Sequence, residues 1–319
     1  MRAAVFRSYG PPDVLKIEEI DKPVPADDEI LVRVYASSVN PAEWYGMTGL
    51  FLARLGNGLF HPKDTRLGAD YAGVVEAIGK LVTDFKPGDE VFGGKSGAFA
   101  EYICVRGNIA RKPKNITFEQ AGGVAIAALT ALQGLRDHGK IQAGQKVLIN
   151  GASGGVGTFA IQIARAFGAE VTAVCSTANV ECARALGAGT VVDYSKEDFT
   201  RGSQRYDLLL DIAGNRSWST YKRVLKPNAT VVMVGGPKTP VIGPLSHIVR
   251  MRLASLRASQ RAVFFVANFN REDFSALGEL MESGKVKPII DRSYPLDRIN
   301  EAMAYLGTGH ARAKIVVTI

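Results

Sequence analysis

Cysteine is scarce in this chain. There are three in 319 residues, Cys104, Cys175 and Cys182, and no C-x-x-C pair among them. An odd number at wide spacing speaks against a disulfide framework and against a structural zinc site made of closely spaced thiolates. Histidine is nearly as rare: His61, His138, His247 and His310 are the full set. Zinc needs about four nitrogen or sulfur ligands in tetrahedral array, and residues so dispersed do not suggest one. No apolar run reaches the roughly 18 residues of a membrane-spanning helix. The nearest, AGGVAIAALTALQGL at residues 121–135, is short, rich in Ala and Gly, and reads as a buried helix. The opening MRAAVFRSYG has no apolar core of the signal-peptide kind and reads directly as a strand. The expected setting is a reducing cytoplasm, with no integral membrane segment.

What is present is an ordinary globular balance, with 46% apolar and 22% charged residues. A chain of 319 residues exceeds what one hydrophobic core serves, so two domains are expected. The formal net charge of +8 favours an anionic partner: a phosphate-bearing cofactor, a nucleic acid or a membrane surface. Basic residues concentrate only in RMRLASLRASQR, residues 250–261. That run reads first as the solvated face of a helix, and second as a membrane-surface or nucleic-acid patch.

The first part of the chain is rich in strands. LKIEEI, EILVRVYASSV, YAGVVEAIG, DEVFG and FAEYICV are short β-branched or alternating runs, divided by turns such as KPVPADD, KPGDE and GGKSG. This is the pattern of an antiparallel, barrel-like domain. Near Phe118 the texture changes. KVLIN, EVTAVC, TVVDY, YDLLLDIAG, TVVMVGG and AVFFVANF alternate with helical stretches. Six strands with helices between most of them imply a doubly wound parallel sheet, and their continuous apolar character fits a sheet covered on both faces. A strand at VKPII, a helix around INEAMAYL and a final strand AKIVVTI follow. The last strand is expected to return to the first domain. The organisation is therefore residues 1–117 and 287–319 as one domain, with residues 118–286 inserted into it.

The loop NGASGGVGT, residues 150–158, follows the strand KVLIN and opens a helix. Unpaired N–H groups and the positive dipole end at a helix N-terminus form a pyrophosphate cradle. Ser153, Gly154, Gly155, Val156 and Gly157 make it here. Gly154 permits close approach of the phosphates and Gly157 close packing of helix on strand. Ala152 stands where the G-x-G-x-x-G fingerprint has its first glycine, so the motif reads A-x-G-x-x-G. An NAD site places an acid about 20 residues on, against the ribose 2′-hydroxyl. Here that place reads STANV, with Ser176, Thr177 and Asn179, and the first acid is Glu181. A carboxylate repels a 2′-phosphate, whereas hydroxyls and amides donate to it. The cofactor expected is NADPH. Ser176 and Asn179 also fit the N-cap of the next helix.

These motifs carry a resemblance. GADYAGVVEAIG with FKPGDEVFG, then GASGGVGTFAIQIARAFGAEVTAVCST, LGAGTVVDY and GHARAKIVV are similar, over nearly the whole length, to the medium-chain dehydrogenase/reductase superfamily. Within it the chain most resembles the zinc-independent quinone oxidoreductases, the zeta-crystallin-like branch. The resemblance implies an α/β fold, with a Rossmann doubly wound parallel sheet inserted into a GroES-like, β-barrel-type catalytic domain. Zinc-dependent members place a Cys early in the first domain and then a G-H-E motif. Here those positions read Asn40 and Gly68-Ala69-Asp70, and the family's lobe of four cysteines is absent. The expectation is a site with no metal.

Without a Lewis acid to polarise an alcohol, hydride transfer to an acceptor that is already electron-poor is the feasible chemistry. A quinone or an α,β-unsaturated carbonyl fits. The resemblance implies that Asn40 and Tyr45 in NPAEWY face the nicotinamide end and position the ring and acceptor oxygen. Their plainer readings are a turn Asn before Pro41 and a half-buried aromatic. It also implies that Tyr194 packs by the adenosine phosphate, that Asn215, Gly235, Gly236, Phe265, Val266 and Ala267 line the cofactor, and that Arg312 reaches the 2′-phosphate. The stretch GLFLARLGNGLFHPKDTR departs most from the general pattern, and Phe51, Leu55 and Phe60 in it read as an apolar lid over the acceptor. The edge strand AVFFVANF is a hazard if unpaired, and pairing with its copy in a homodimer covers it. The alternative function is a non-catalytic NADPH-binding redox sensor or interaction protein. Alcohol dehydrogenation is disfavoured by the missing zinc ligands, and no nucleic-acid partner is expected.

Overall fold

The computed structural model describes residues 1–236 and 245–319. In chain order the described strands are β1 (Arg2–Phe6), β2 (Leu15–Glu19), β3 (Ile30–Val39), β4 (Asp70–Ile78), β5 (Glu90–Gly94), β6 (Tyr102–Val105), β7 (Ile109–Arg111), β8 (Lys146–Asn150), β9 (Glu170–Cys175), β10 (Thr190–Asp193), β11 (Tyr206–Asp211), β12 (Leu225–Met233), β13 (Arg261–Phe264), β14 (Ile290–Pro295) and β15 (Lys314–Thr318). The chain divides into two compact units. Unit 1 is Met1–Ala127 with Asn268–Ile319, and unit 2 is Ala128–Ala267. One unit is thus inserted into the other.

Unit 1 is built on the sheet order β14-β15-β3-β4-β5-β7, with β6 also pairing with β3 and a separate hairpin of β1 and β2. All its pairings are antiparallel except β14 with β15. The last strand lies antiparallel to β3, with Val316 opposite Ser38. β3 alternates Ile30, Val32 and Val34 into a core with Tyr71, Val91 and Ile103, as the period-two geometry of a half-buried strand requires.

The helices Phe118–Gly122 and Arg271–Glu282 fall inside the stretch assigned from sequence to the inserted domain, but both belong to unit 1. The first has Gly122 against the backbone of Ala36 on β3. The second buries Phe274 edge-on against Phe92 of β5, ring centroids 5.9 Å apart. Amphipathic pattern tells that a helix has an apolar face, not which sheet receives it. The strand expected at VKPII lies a few residues later, at β14, an edge strand whose residues are half exposed or exposed.

Unit 2 carries one parallel sheet of order β10-β9-β8-β11-β12-β13. Val147, Leu148 and Ile149 of β8 and Leu208, Leu209 and Leu210 of β11 are fully or almost fully buried, as in a sheet with helices on both faces. Strand order reverses between β8 and β11. In open α/β sheets, ligands bind at this point, beyond the carboxyl ends of the strands. Of the helical stretch expected between TVVMVGG and AVFFVANF, residues 237–244 lie outside the described residues, and the described part is a helix over Leu245–Ser255. AVFFVANF is a strand only in its first part, since β13 ends at Phe264, and β13 is the last strand of this sheet.

Candidate functional site

In unit 2, β8 ends at Asn150 and the chain turns into the helix Gly155–Ala166. The sharp turn is made by Gly151, at φ +90°, a conformation costly for residues with a Cβ. The turn-making role therefore falls one residue before Ala152, and the buried Ala152 donates its N–H to Val174 O at 3.0 Å. Gly157 abuts the backbone of Gly151 and Ala152 so closely that no Cβ fits. At Gly154, by contrast, an added Cβ would meet only Gly151 O at 3.8 Å. Among the described residues no other heavy atom, chain neighbours aside, lies within 4 Å of that position, and no side chain caps the helix start. Uncapped amides facing open space fit a pyrophosphate.

Around this loop the parallel strands deliver the other expected residues at their carboxyl ends. Ser176 and Asn179 follow β9, Tyr194 follows β10, Asn215 follows β11, Gly235 and Gly236 follow β12, and Phe265, Val266 and Ala267 follow β13. Neither Ser176 nor Asn179 caps a helix with its side chain. Instead Asn179 Nδ2 donates to Ser176 Oγ at 2.9 Å. Tyr194 is exposed, its ring free of the core. Phe265 stacks on His138 with centroids 4.2 Å apart.

Two features of this region were not read from sequence. Asp193, at the end of β10, accepts from Thr177 Oγ1 at 2.6 Å and Ser195 N at 3.0 Å. The Thr177 hydroxyl, foremost among several donors, holds its carboxyl below the usual range. So an acid does stand near STANV, with its charge engaged locally. At the reversal point, Asn150 Nδ2 bridges Asp211 Oδ1 at 2.9 Å, Tyr221 OH at 3.0 Å and Asn215 Oδ1 at 3.2 Å. The fully buried Asp211 also accepts from Gly214 N at 3.0 Å, which holds the loop carrying Asn215. Burial, with Asp211 beside it, pushes the Tyr221 hydroxyl far above its ordinary pKa. The signal available was an Asn and an Asp, each the last residue of an apolar strand.

In unit 1, Asn40 ends β3's run and caps the helix Pro41–Thr48. Its backbone N–H donates to Glu43 Oε2 at 2.8 Å. The side chain is 3% exposed, and both ends of its amide are engaged. Oδ1 accepts from Lys314 Nζ, while Nδ2 donates to Ser38 O and Asp70 Oδ2, each at 3.3 Å. Asp70 is fully buried. It takes the Ser38 hydroxyl, Ile126 N–H at 2.8 Å and Lys314 Nζ at 3.3 Å. Lys314, on β15, is itself 3% exposed. The residues at the two positions discussed above for zinc, Asn40 and Asp70, thus share a buried ammonium. Among the described residues no group of three or more His, Cys, Asp or Glu comes together to hold a metal. Glu43 is buried against this cluster, and desolvation first, then the Asp70 charge, raises its pKa to about 8.

Tyr45, on the same helix, is half-buried, and burial raises its hydroxyl pKa. Phe51, Leu55 and Phe60 are exposed, the first two on the helix Phe51–Asn57. The Gly-Asn-Gly of this stretch is tied down: Asn57 exchanges hydrogen bonds with Asp64 at 2.7 and 3.0 Å, and Tyr9 OH donates to Gly58 O at 2.6 Å. Arg312 is exposed in unit 1, with its backbone N–H on Asp291 Oδ2 at 3.0 Å.

A glycine cradle at the reversal point of a six-stranded parallel sheet, inserted in a mainly antiparallel unit, defines a dinucleotide-binding oxidoreductase fold. Residues 26–124 match the alcohol dehydrogenase GroES-like domain, and residues 186–317 match a family model described as zinc-binding dehydrogenase. The NADPH-dependent alkenal/one oxidoreductase, chloroplastic, of Arabidopsis thaliana is 35% identical over 333 residues, covering 99% of this chain and 79% of the relative. The quinone oxidoreductase of Coxiella burnetii superposes with TM-score 0.86 at 31% identity, covering 100% of this chain and 99% of that one. The Escherichia coli quinone oxidoreductase, solved with NADPH, gives TM-score 0.85 at 25% identity, with 100% of both chains covered. The chain belongs to the medium-chain dehydrogenase/reductase superfamily, in its quinone oxidoreductase branch.

The cluster in unit 1 sets two expectations. Lys314→Met leaves Asp70 as a buried charge without its cation, and chemical unfolding is expected to show a loss of about 3–5 kcal/mol, largely recovered when Asp70→Asn is added. Glu43 has a folded pKa above its unfolded value of about 4.5. The unfolded chain therefore releases this proton first, and the contribution of Glu43 to stability falls as pH rises from about 4.5 through about 8. Thermal unfolding across that window is expected to show a shallower pH dependence in Glu43→Gln than in the wild type.

Proposed function

We propose that the chain is an NADPH-dependent oxidoreductase that transfers hydride, without a metal, to a quinone or to the β-carbon of an α,β-unsaturated carbonyl. The observation that carries this reading is the uncapped helix start at Gly155 with open space over Gly154, followed at the end of β9 by hydroxyl and amide groups in place of an acid. The names of the relatives support the same cofactor and the same two acceptor classes.

Ser153 to Gly157 would hold the pyrophosphate, and Ser176 and Asn179 the 2′-phosphate, with Tyr194 free to pack on the adenosine. Asn215, Gly235, Gly236 and residues 265–267 are proposed for the remaining length of the cofactor. When bound, NADPH would supply a hydride, and the quinone oxygen, or the α-carbon of the enolate left by an enone, would take up a proton from water. Tyr45 is proposed to orient the acceptor oxygen through its hydroxyl, and Phe51, Leu55 and Phe60 to exclude water from an apolar acceptor. Asn40 is proposed to act by fixing the start of the helix that carries Tyr45. We also propose a homodimer paired through β13, the open edge of unit 2, and a cytoplasmic setting consistent with the three unpaired cysteines.

The engagement of the Asn40 amide inside unit 1 favours one rival, a protein that binds NADPH without turning it over. A single assay separates the two. Purified protein is offered NADPH or NADH with a panel of quinones and enones, and cofactor oxidation is followed. Turnover with NADPH in preference to NADH supports the enzyme, and tight NADPH binding with no turnover supports the rival. In the same assay Tyr45→Phe is expected to lower kcat/KM. Gly154→Val, which fills the open space, is expected to weaken NADPH binding by at least about tenfold, or 1.4 kcal/mol, with unfolding unchanged.

A further inference from the structure

The chain's positive charge is not evenly spread. Between Asp211 and Glu272 there are ten Lys and Arg residues and no acid at all, whereas the whole chain carries a net +8. The described part of this stretch within unit 2 includes the helices Trp218–Lys222 and Leu245–Ser255, which pack on each other, while Arg271 belongs to unit 1 and pairs with Asp84.

The second helix has two distinct faces. Ile248 and Met251 are buried in the core of unit 2. On the outward face Val249 and Leu253 lie four residues apart, and Leu256 follows three residues later, just past the helix end. This i, i+4, i+7 spacing puts them in one stripe. They are 47%, 62% and 75% exposed. Arg250 and Arg257 flank the stripe on one side and Arg252 on the other, all exposed. Large apolar side chains rimmed by guanidiniums, without a neighbouring acid, are the pattern of a helix that lies in a lipid interface.

Beside the stripe is a cavity of about 700 Å³, entirely within unit 2, lined in part by Arg216, Ser217, Ser219, His247, Arg250 and Met251. Its polar lining includes two guanidinium groups, an imidazole, hydroxyls and the Asn215 amide, a donor set suited to a phosphate. The buried His247 Nε2 has no hydrogen-bond partner among the described residues, and lies 3.7 Å from Asp211 Oδ2.

We propose that this face of unit 2 docks on an anionic lipid surface. Val249, Leu253 and Leu256 enter the acyl boundary, Arg252 and Arg257 meet the surface charge, and the cavity between the helices takes a lipid headgroup phosphate through Arg216 and Arg250. The apolar stripe decides for lipid over nucleic acid, which would use the arginines and leave three large apolar side chains in water. The placement is independent of the reaction proposed above, and Asn215 is the residue of the cavity shared with the strand-end set.

The test is co-sedimentation of the intact protein with vesicles of phosphatidylcholine alone and of phosphatidylcholine with phosphatidylglycerol. Binding is expected to the anionic vesicles and not to the neutral ones, and to weaken as salt is raised. The double variant Leu253→Asp/Leu256→Asp and the variant Arg252→Glu/Arg257→Glu are each expected to lose at least about tenfold in binding. NADPH affinity, thermal unfolding and gel-filtration mass are expected to stay at wild-type values. Free inorganic phosphate at millimolar concentration is expected to leave vesicle binding in place, since the stripe and the surface charge contribute as well. Equal binding to neutral and anionic vesicles, or none to either, overturns the proposal. So does a fall in mass in the Leu variant, which would assign the stripe to a second copy of the chain. Retention of an RNA oligonucleotide by the Leu variant but not the Arg variant, with no vesicle binding by the wild type, would assign the face to nucleic acid instead.

Discussion

One ammonium group organises the interior of unit 1. Lys314 arrives on the last strand and lies against a carboxylate on β4 and an amide at the end of β3. Burying any of these alone would cost several kcal/mol, and together they satisfy one another. The pairing of β15 with β3 and of β3 with β4 places all three in register. From that point the chain runs into the helix Pro41–Thr48, which carries Tyr45, and Ile126 donates to the same Asp70 from the segment that closes unit 1. The ion pair is therefore less a surface ornament than the fixed point from which the helix start is set.

Unit 2 follows a different constraint, a sharp turn from strand into helix with the first helical amides left uncapped. Its strands deliver loops to a common end of the sheet, and Gly151 and Gly157 let the chain turn and pack tightly there. The backbone amides at the helix start are left without a side-chain cap, although a Ser, Thr or Asp at position 154 would have supplied one. The Asn150 and Asp211 side chains hold the neighbouring loop from below.

The strand, glycine turn and helix were legible because their parts are local: an apolar strand, four glycines and an amphipathic helix within about twenty residues. The choice of NADPH was legible from an absence, the acid-free STANV. The lysine cluster was not legible. Lys314 and Asp70 are 244 residues apart, and a lysine in a sequence looks like a solvated charge until its burial is known. Asp193 escaped notice for a related reason, since its bond to Thr177 spans 16 residues and joins two different strand ends. The helices Phe118–Gly122 and Arg271–Glu282 were visible as helices but carried no mark of the unit they pack on. The apolar run VKPII outweighed the more polar β14 that follows it, because an edge strand has less need of apolar residues on both faces.

The return of β14 and β15 to the first sheet has a consequence for how the chain acquires its shape. During synthesis every strand of unit 2 leaves the ribosome before Lys314 does. Unit 2, whose pairings join strands close in sequence, can fold while the polypeptide is still growing. Unit 1 must wait, with Asp70 uncompensated and the β3 edge open, through the production of more than half of the sequence. An open strand edge is what chaperones encounter in unfinished proteins. Pairing of β15 with β3 thus closes that edge and, by the same act, brings the Lys314 ammonium to Asp70 as it is buried.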